Sequence, residues 1–200
     1  MRFKWFVPPI LTLSLFAAAL PVFSQVAPAY TAPGIPWIIG AGPSTWDVDW
    51  GHGRMIGVTA WADWYPARVE SWTHVRGLGA EFEFRDVSWD EQGPPQKNQR
   101  QYNYMAGPIY NWHLTNRFHP YFKSDFGYGA VDFYPLPGYS SDSRTIIAPG
   151  GGFEYRFWGP LNFRGDYEYQ MWVGKFFGNT FDPQGITAGI SVDLSHPRVR

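Results

Sequence analysis

Apolar and polar residues alternate along much of the chain. In "LNFRGDYEYQMW" (161–172), Leu161, Phe163, Gly165, Tyr167, Tyr169 and Met171 are apolar, aromatic or small, and Asn162, Arg164, Asp166, Glu168 and Gln170 are polar. Successive side chains of a strand point to opposite faces, so this pattern predicts a strand with one apolar and one polar face. The same period recurs upstream. In "MIGVTAWADW" (55–64), Ile56, Val58, Ala60, Ala62 and Trp64 oppose Gly57, Thr59, Trp61 and Asp63. In "LGAEFEFRDV" (78–87), Leu78, Ala80, Phe82 and Phe84 oppose Gly79, Glu81, Glu83 and Arg85. In "QYNYMAGPIYNW" (101–112), Tyr102, Tyr104, Ala106, Tyr110 and Trp112 oppose Gln101, Asn103, Gly107 and Asn111. "YFKSDFGYGAVDFY" (121–134) sets Phe122, Phe126, Tyr128 and Ala130 against Lys123, Asp125, Gly127 and Gly129. "TIIAPGGGFEYRF" (145–157) sets Ile147, Gly151, Phe153 and Tyr155 against Gly150, Gly152, Glu154 and Arg156. "GITAGISVDL" (185–194) closes the series, and "WIIGAGPSTW" (37–46) is a weaker first strand.

Eight segments of about ten residues result. That length suits a tilted strand crossing a bilayer, which takes roughly nine to eleven residues, and bacterial outer-membrane barrels use even strand numbers from about eight upward. Polar, Gly/Pro-rich loops fall near 47–54, 88–99, 135–143 and 173–183, and turns at 65–77, 113–119 and 158–160. Four loops on one side and three turns on the other fit an eight-stranded antiparallel up-and-down transmembrane β-barrel with both termini on the turn side.

Composition supports one domain of this kind. The chain has 200 residues, of which 16% are charged and 20% aromatic, and its net charge is −1. Near-neutrality gives nucleic acid no electrostatic footing. The absence of cysteine excludes disulfides, thiol chemistry, zinc–thiolate sites and a lipoprotein anchor. The N-terminus reads as a secretory signal over 1–24: Arg2 and Lys4 precede an apolar run from Trp5 to Leu20, and Val22 and Ser24 occupy the small-residue positions before cleavage. Two prolines, Pro8 and Pro9, weigh against a membrane-anchor helix there. A linker over 25–36, a barrel over 37–194 and a tail over 195–200 complete the expected organisation.

A soluble lipocalin-like carrier is the competing all-β reading. It would turn its charges outward and its aromatic face inward. Here the polar faces are Gly, Asn, Thr and Ser with a few opposite charges, which suits a narrow, side-chain-filled lumen. Trp37, Trp46, Trp64, Trp112 and Trp172 lie near predicted strand ends, as interfacial aromatics do, whereas Trp61 is mid-strand. The lumen is expected to carry a charge network of Glu81, Glu83, Arg85, Lys123, Asp125, Glu154, Arg164, Asp166 and Glu168. If Phe157 and Leu161 face one another across the turn at 158–160, Glu154 falls opposite Arg164 and should pair with it directly. Asp166 and Glu168 would then meet Gly152 and Gly150, and reach over them toward Lys123 and Arg85.

The segments "APGGGFEYRF" (148–157), "DYEYQ" (166–170) and "GITAGIS" (185–191) resemble the eight-stranded outer-membrane barrels of Gram-negative bacteria, the OmpA/OmpX/opacity-like group. "TAGISVDL" (187–194) looks like the assembly signal of a last strand, although such barrels usually stop on an aromatic and this chain continues "SHPRVR". The resemblance implies insertion into the outer membrane, with its lipids and the barrel-assembly machinery as partners. It does not imply one activity.

Motifs for chemistry are weak. "RGD" (164–166) lies inside a regular strand. His52, His74, His113, His119 and His196 all fall in predicted loops, turns or the tail. Only His52, in "GHGR", is near the outer loops, where a lipid-modifying barrel enzyme would need a His with a nucleophile and an acid. "APGGG" lacks the Lys-Ser/Thr of a phosphate loop. No metal-ligating spacing and no cofactor motif is present, and the expected role is structural and non-enzymatic.

Overall fold

The computed structural model describes residues 35–47, 54–66, 75, 77–91, 97–112, 116–136, 139–175 and 180–195. The expected signal peptide, most of the linker and all but Ser195 of the tail lie outside these. The strands are β1 (Trp37–Asp47), β2 (Arg54–Trp64), β3 (Leu78–Glu91), β4 (Lys97–Asn111), β5 (Phe118–Leu136), β6 (Tyr139–Trp158), β7 (Leu161–Tyr169), β8 (Met171–Trp172) and β9 (Gln184–Asp193). Each pairs antiparallel with its neighbour in sequence from β1 to β7; β7 then pairs with β9, and β9 with β1, which closes the ring. β7 and β8 both lie along β6 and are separated only at Gln170, whose N–H turns to the Pro183 carbonyl at 2.8 Å. They form one stave, and the barrel has eight.

Alternation sets which way each stave faces. The outward sets read from the sequence lie on the outside, Ala130 being buried, and the polar sets on the inside: Phe126 is 51% exposed, whereas Lys123, three positions earlier, is wholly buried. Phe82, Phe84, Tyr104, Phe153, Tyr167, Ile186 and Ile190 form an apolar exterior. A lipocalin-like carrier would have this distribution inside out.

Two pairs of strands are longer than the ten residues expected. β3 and β4 run 14 and 15 residues, and β5 and β6 run 19 and 20. Pairing continues to Glu91↔Lys97 and, after a register shift, to Leu136↔Tyr139, so most of the loops expected at 88–99 and 135–143 is hairpin. Val87, Val131 and Ile146 are buried on the inner face just before these extensions, and antiparallel pairing carries the ribbons on past the point where their composition turns polar. His119 is likewise in strand β5, in register with Glu154, and not in a turn.

At the other end the staves meet in short turns. Gly159, at φ +50°, and Pro160 connect β6 to β7. The turn-end pair is Trp158↔Leu161 rather than Phe157↔Leu161, because a bulge between Arg156 and Trp158 absorbs one residue. Beyond the bulge the register is the expected one, with Arg156↔Asn162, Glu154↔Arg164, Gly152↔Asp166 and Gly150↔Glu168. Ile35 and Leu194 are hydrogen-bonded at this same end, so both ends of the barrel sequence are on the turn side.

An arginine on the apolar exterior tests this arrangement. Phe126→Arg should lower folding stability into lipid by about 2–4 kcal/mol if the site is near the midplane. Ser141→Arg, exposed on the β5–β6 ribbon, should stay within about 0.5 kcal/mol of wild type. Urea titrations read by heat-dependent gel mobility measure both.

Candidate functional site in the barrel lumen

The lumen is filled in two layers. Toward the loop end, Trp46, Met55, Val87, Met105, Val131, Ile146, Ala148, Trp172 and Phe181 form an apolar cluster with Trp89 against it. Phe181, just before β9, folds in edge-on to Trp172 with ring centroids 5.1 Å apart. Below this plug lies a belt of buried ionic groups. Asp63, Glu81, Glu83, Asp125, Glu154, Asp166 and Glu168 face Arg85, Lys123 and Arg164, seven carboxylates against three cations among the described belt residues. Nearer the turn end, Asp193 pairs with Arg156 at 2.8 Å.

Arg164 organises one side of the belt. Its Nη1 donates to Asp63 Oδ2 at 3.0 Å, its Nη2 to Glu81 Oε2 at 2.5 Å and to Asp166 Oδ2 at 3.2 Å, and its Nε to the Tyr121 hydroxyl at 2.6 Å. The Tyr121 hydroxyl donates in turn to Asp166. The guanidinium also lies 4.8 Å from the Trp61 ring centre and 4.4 Å from that of Tyr121. A planar fork with several donors suits such a site better than an ammonium. Trp61 fits because the flanking strands have no side chain there: a Cβ at Gly40 or Gly189 would come within 2.5 or 2.6 Å of its ring.

Arg85 organises the junction with the plug. Its Nη1 donates to Glu168 Oε1 at 2.9 Å, its Nη2 to Glu83, and its Nε to Thr59 Oγ1 at 3.1 Å. Its guanidinium sits 3.7 Å from the Trp46 ring centre, joining the charged layer to the apolar one. Gln170 extends the junction: its Nε2 donates to Glu168 Oε1 at 2.9 Å, and its Oε1 accepts from Gln101, Asn103 and the Trp172 indole at 3.0, 3.2 and 3.1 Å.

Lys123 stands among five carboxylates. Its Nζ donates to Glu81 Oε1 at 2.7 Å and to Glu83, and lies 3.0 Å from Glu168 Oε2 and 3.5 Å from both Asp125 and Asp166. Asp166 and Glu168 thus reach Lys123, and Glu168 reaches Arg85. Gly150 makes room, since a Cβ there would meet Lys123 Cε at 3.1 Å and Glu168 Cβ at 3.3 Å. Gly152 serves a different purpose from the one expected. A Cβ there would lie 2.0 Å from the Gly165 carbonyl, so it permits backbone approach rather than space for Asp166.

Two sequence expectations are corrected. Glu154 is opposite Arg164 but makes no salt bridge with it, and Glu154 Oε1 has no hydrogen-bond partner. Arg164 extends across the lumen instead, where Asp63 and Glu81 on other staves take its donors. Trp46 and Trp172 are buried in the lumen and are not interfacial. They share the inward parity of Ser44 and Gln170, a signal already present in the alternation. Trp37, Trp64 and Trp112 do face outward near the turn end, Trp37 and Trp64 stacked with centroids 6.2 Å apart. Finally, Glu81, Glu83 and Asp125, which no sequence spacing connects, come together with carboxylate oxygens within 4.8 Å of one another. Arg164 and Asp166 of "RGD" are buried and out of reach of any receptor. His52, His74, His113 and His196 lie outside the described residues.

The belt predicts unequal costs for two residues facing each other in register. Arg164→Ala should lose about 3–5 kcal/mol by stranding buried carboxylates. Glu154→Gln should cost little or raise stability, because it removes one charge from an over-acidic belt. A double-mutant cycle by urea unfolding should give a coupling below about 0.5 kcal/mol.

No curated protein matches the sequence. Among solved structures, the fold is similar to Neisserial surface protein A (TM-score 0.62, 13% identity, 79% of this chain and 97% of that one). It is also similar to Ail, the attachment invasion locus protein of Yersinia pestis (TM-score 0.55, 16% identity, 78% and 96%). At these identities the likeness establishes the fold. Residues 12–193 match the outer membrane protein beta-barrel domain family. With its closed eight-stave ring, apolar exterior and filled lumen, the chain belongs to the outer membrane protein β-barrel family.

Proposed function

We propose that the protein is a non-enzymatic structural element of the outer membrane, held by its lipids and inserted by the barrel-assembly machinery after its leader is removed. One observation supports this reading above others. The lumen holds an apolar plug stacked on a bonded ionic belt, each made of side chains from several staves. An eight-strand interior is only wide enough for side chains to fill it. Such a barrel is stiff and does not conduct, and what it offers the exterior is its loop-end hairpins. A lipid-modifying activity would require a cluster around His52, and no observation on the described residues favours it.

Purified protein in planar bilayers should give no stepwise conductance where a porin control does, and lipid A mass spectra should be the same in deletion and overexpression strains. Regular channel openings or a changed lipid A species would overturn the reading. N-terminal sequencing of outer-membrane material should begin at Gln25.

A further inference from the structure

The ionic belt is out of balance. Its seven carboxylates outnumber its three cations by four, in a space covered at the loop end by the plug above. A carboxyl in such a space is paired, protonated or bound to a metal, since an uncompensated buried ion is expensive. One focus of the imbalance is Asp125. Asp125 is wholly buried, and neither Oδ1 nor Oδ2 has a hydrogen-bond partner. Its nearest cation, the Lys123 ammonium, stands off at 3.5 Å while bonding Glu81 at 2.7 Å and Glu83.

The backbone is shaped to bring this carboxylate to the others. Asp125 is on β5 and Glu81 and Glu83 are on β3, with β4 between them. The β4 residue opposite Glu81 is Gly107, where a Cβ would lie 2.0 Å from the Ser124 carbonyl and 2.8 Å from Asp125 Oδ1, so this glycine serves both the close approach of β5 and the carboxylate. Without that side chain, Asp125 reaches over β4, and the three carboxylate oxygens come within 4.8 Å of one another.

We propose that Asp125, Glu81 and Glu83 bind a calcium-class cation inside the barrel, a function beyond the structural role proposed above. The ligands are all hard oxygens. Calcium accepts irregular cages built of protein carboxylates. Magnesium dehydrates reluctantly and is seldom held in an all-protein cage, so three buried carboxylates suit it less well. Binding requires Lys123, which bonds Glu81 and Glu83, to move aside toward Asp166 and Glu168, which lie within 3.5 Å of its Nζ. The ion thus supplies positive charge at a buried carboxylate with no hydrogen-bond partner on either oxygen.

The test uses full-length mature protein refolded from urea into detergent micelles, in chelator-treated buffer with or without excess calcium chloride. After desalting, wild type should retain one equivalent of calcium by elemental analysis, and its urea midpoint should rise with calcium but not with magnesium. Asp125→Asn should retain none and its midpoint should ignore calcium. In chelator it should be at least as stable as wild type, because it carries one negative charge fewer. Lys123→Met, which removes the competing ammonium, should hold calcium more tightly; if it does not fold, the comparison of wild type with Asp125→Asn decides alone. A calcium-free wild type with an unmoved midpoint overturns the proposal, as does calcium binding undiminished in Asp125→Asn. Neither outcome bears on conductance or lipid A, so the structural reading is judged separately.

Discussion

Inside a bilayer no water is available to bond a backbone N–H or C=O, and every strand edge must therefore be paired. The pairing of β1 with β9 satisfies this constraint, and the rest of the molecule follows from it. Closing eight staves determines a bore that only side chains can fill. Closure also commits one residue in two to that bore, whatever its chemistry. A short barrel that must remain soluble until insertion and apolar once inserted puts its charges there.

Filling the bore creates a packing problem that is solved with unequal partners. Large inward groups are matched by glycines on neighbouring staves, as Trp61 is by Gly40 and Gly189. The charged groups solve a second problem. Three cations each bridge carboxylates from more than one stave, with Arg164 joining β7 to β2, β3 and β5. These bridges tie together strands that are not adjacent, which backbone pairing cannot do. The apolar plug then keeps the network from the loop-end solvent, and the Arg85–Trp46 contact bonds the two layers to each other. The proposed rigidity and closure to solutes share this structural cause.

The composition of the belt is not explained by stability alone. A buried ion pair is often no better than an apolar pair of the same volume, and the plug shows that this chain can fill its lumen with apolar groups. Seven ionised carboxylates around three cations cost stability unless something further is bound, and Asp63, Glu154 and Asp125 have buried oxygens without a hydrogen-bond partner, Asp125 on both.

The alternation of the chain determined by itself which residues face lipid and which face the lumen, because the period of a strand is local. It also required the inner register of β6 with β7 to place like faces together, which Glu154 opposite Arg164 and Gly150 opposite Glu168 satisfy, although the turn-end pair itself is shifted by a bulge. Trp46 and Trp172 were legible by the same parity; their positions near strand ends pointed elsewhere because an interfacial preference is a statistical tendency, whereas parity is geometric. The extent of the long hairpins was hidden, since their ends have loop-like composition and only pairing with a neighbour holds them as strands. The choice of ionic partners was decided by the tertiary structure alone. Arg164 passes over its neighbour in register for Asp63 and Glu81, and Asp125 crosses β4 to Glu81 and Glu83. These distances depend on the diameter and stagger of the closed ring. No spacing along the chain encodes them, because each group contributes from a different stave and they become neighbours only when the last strand meets the first.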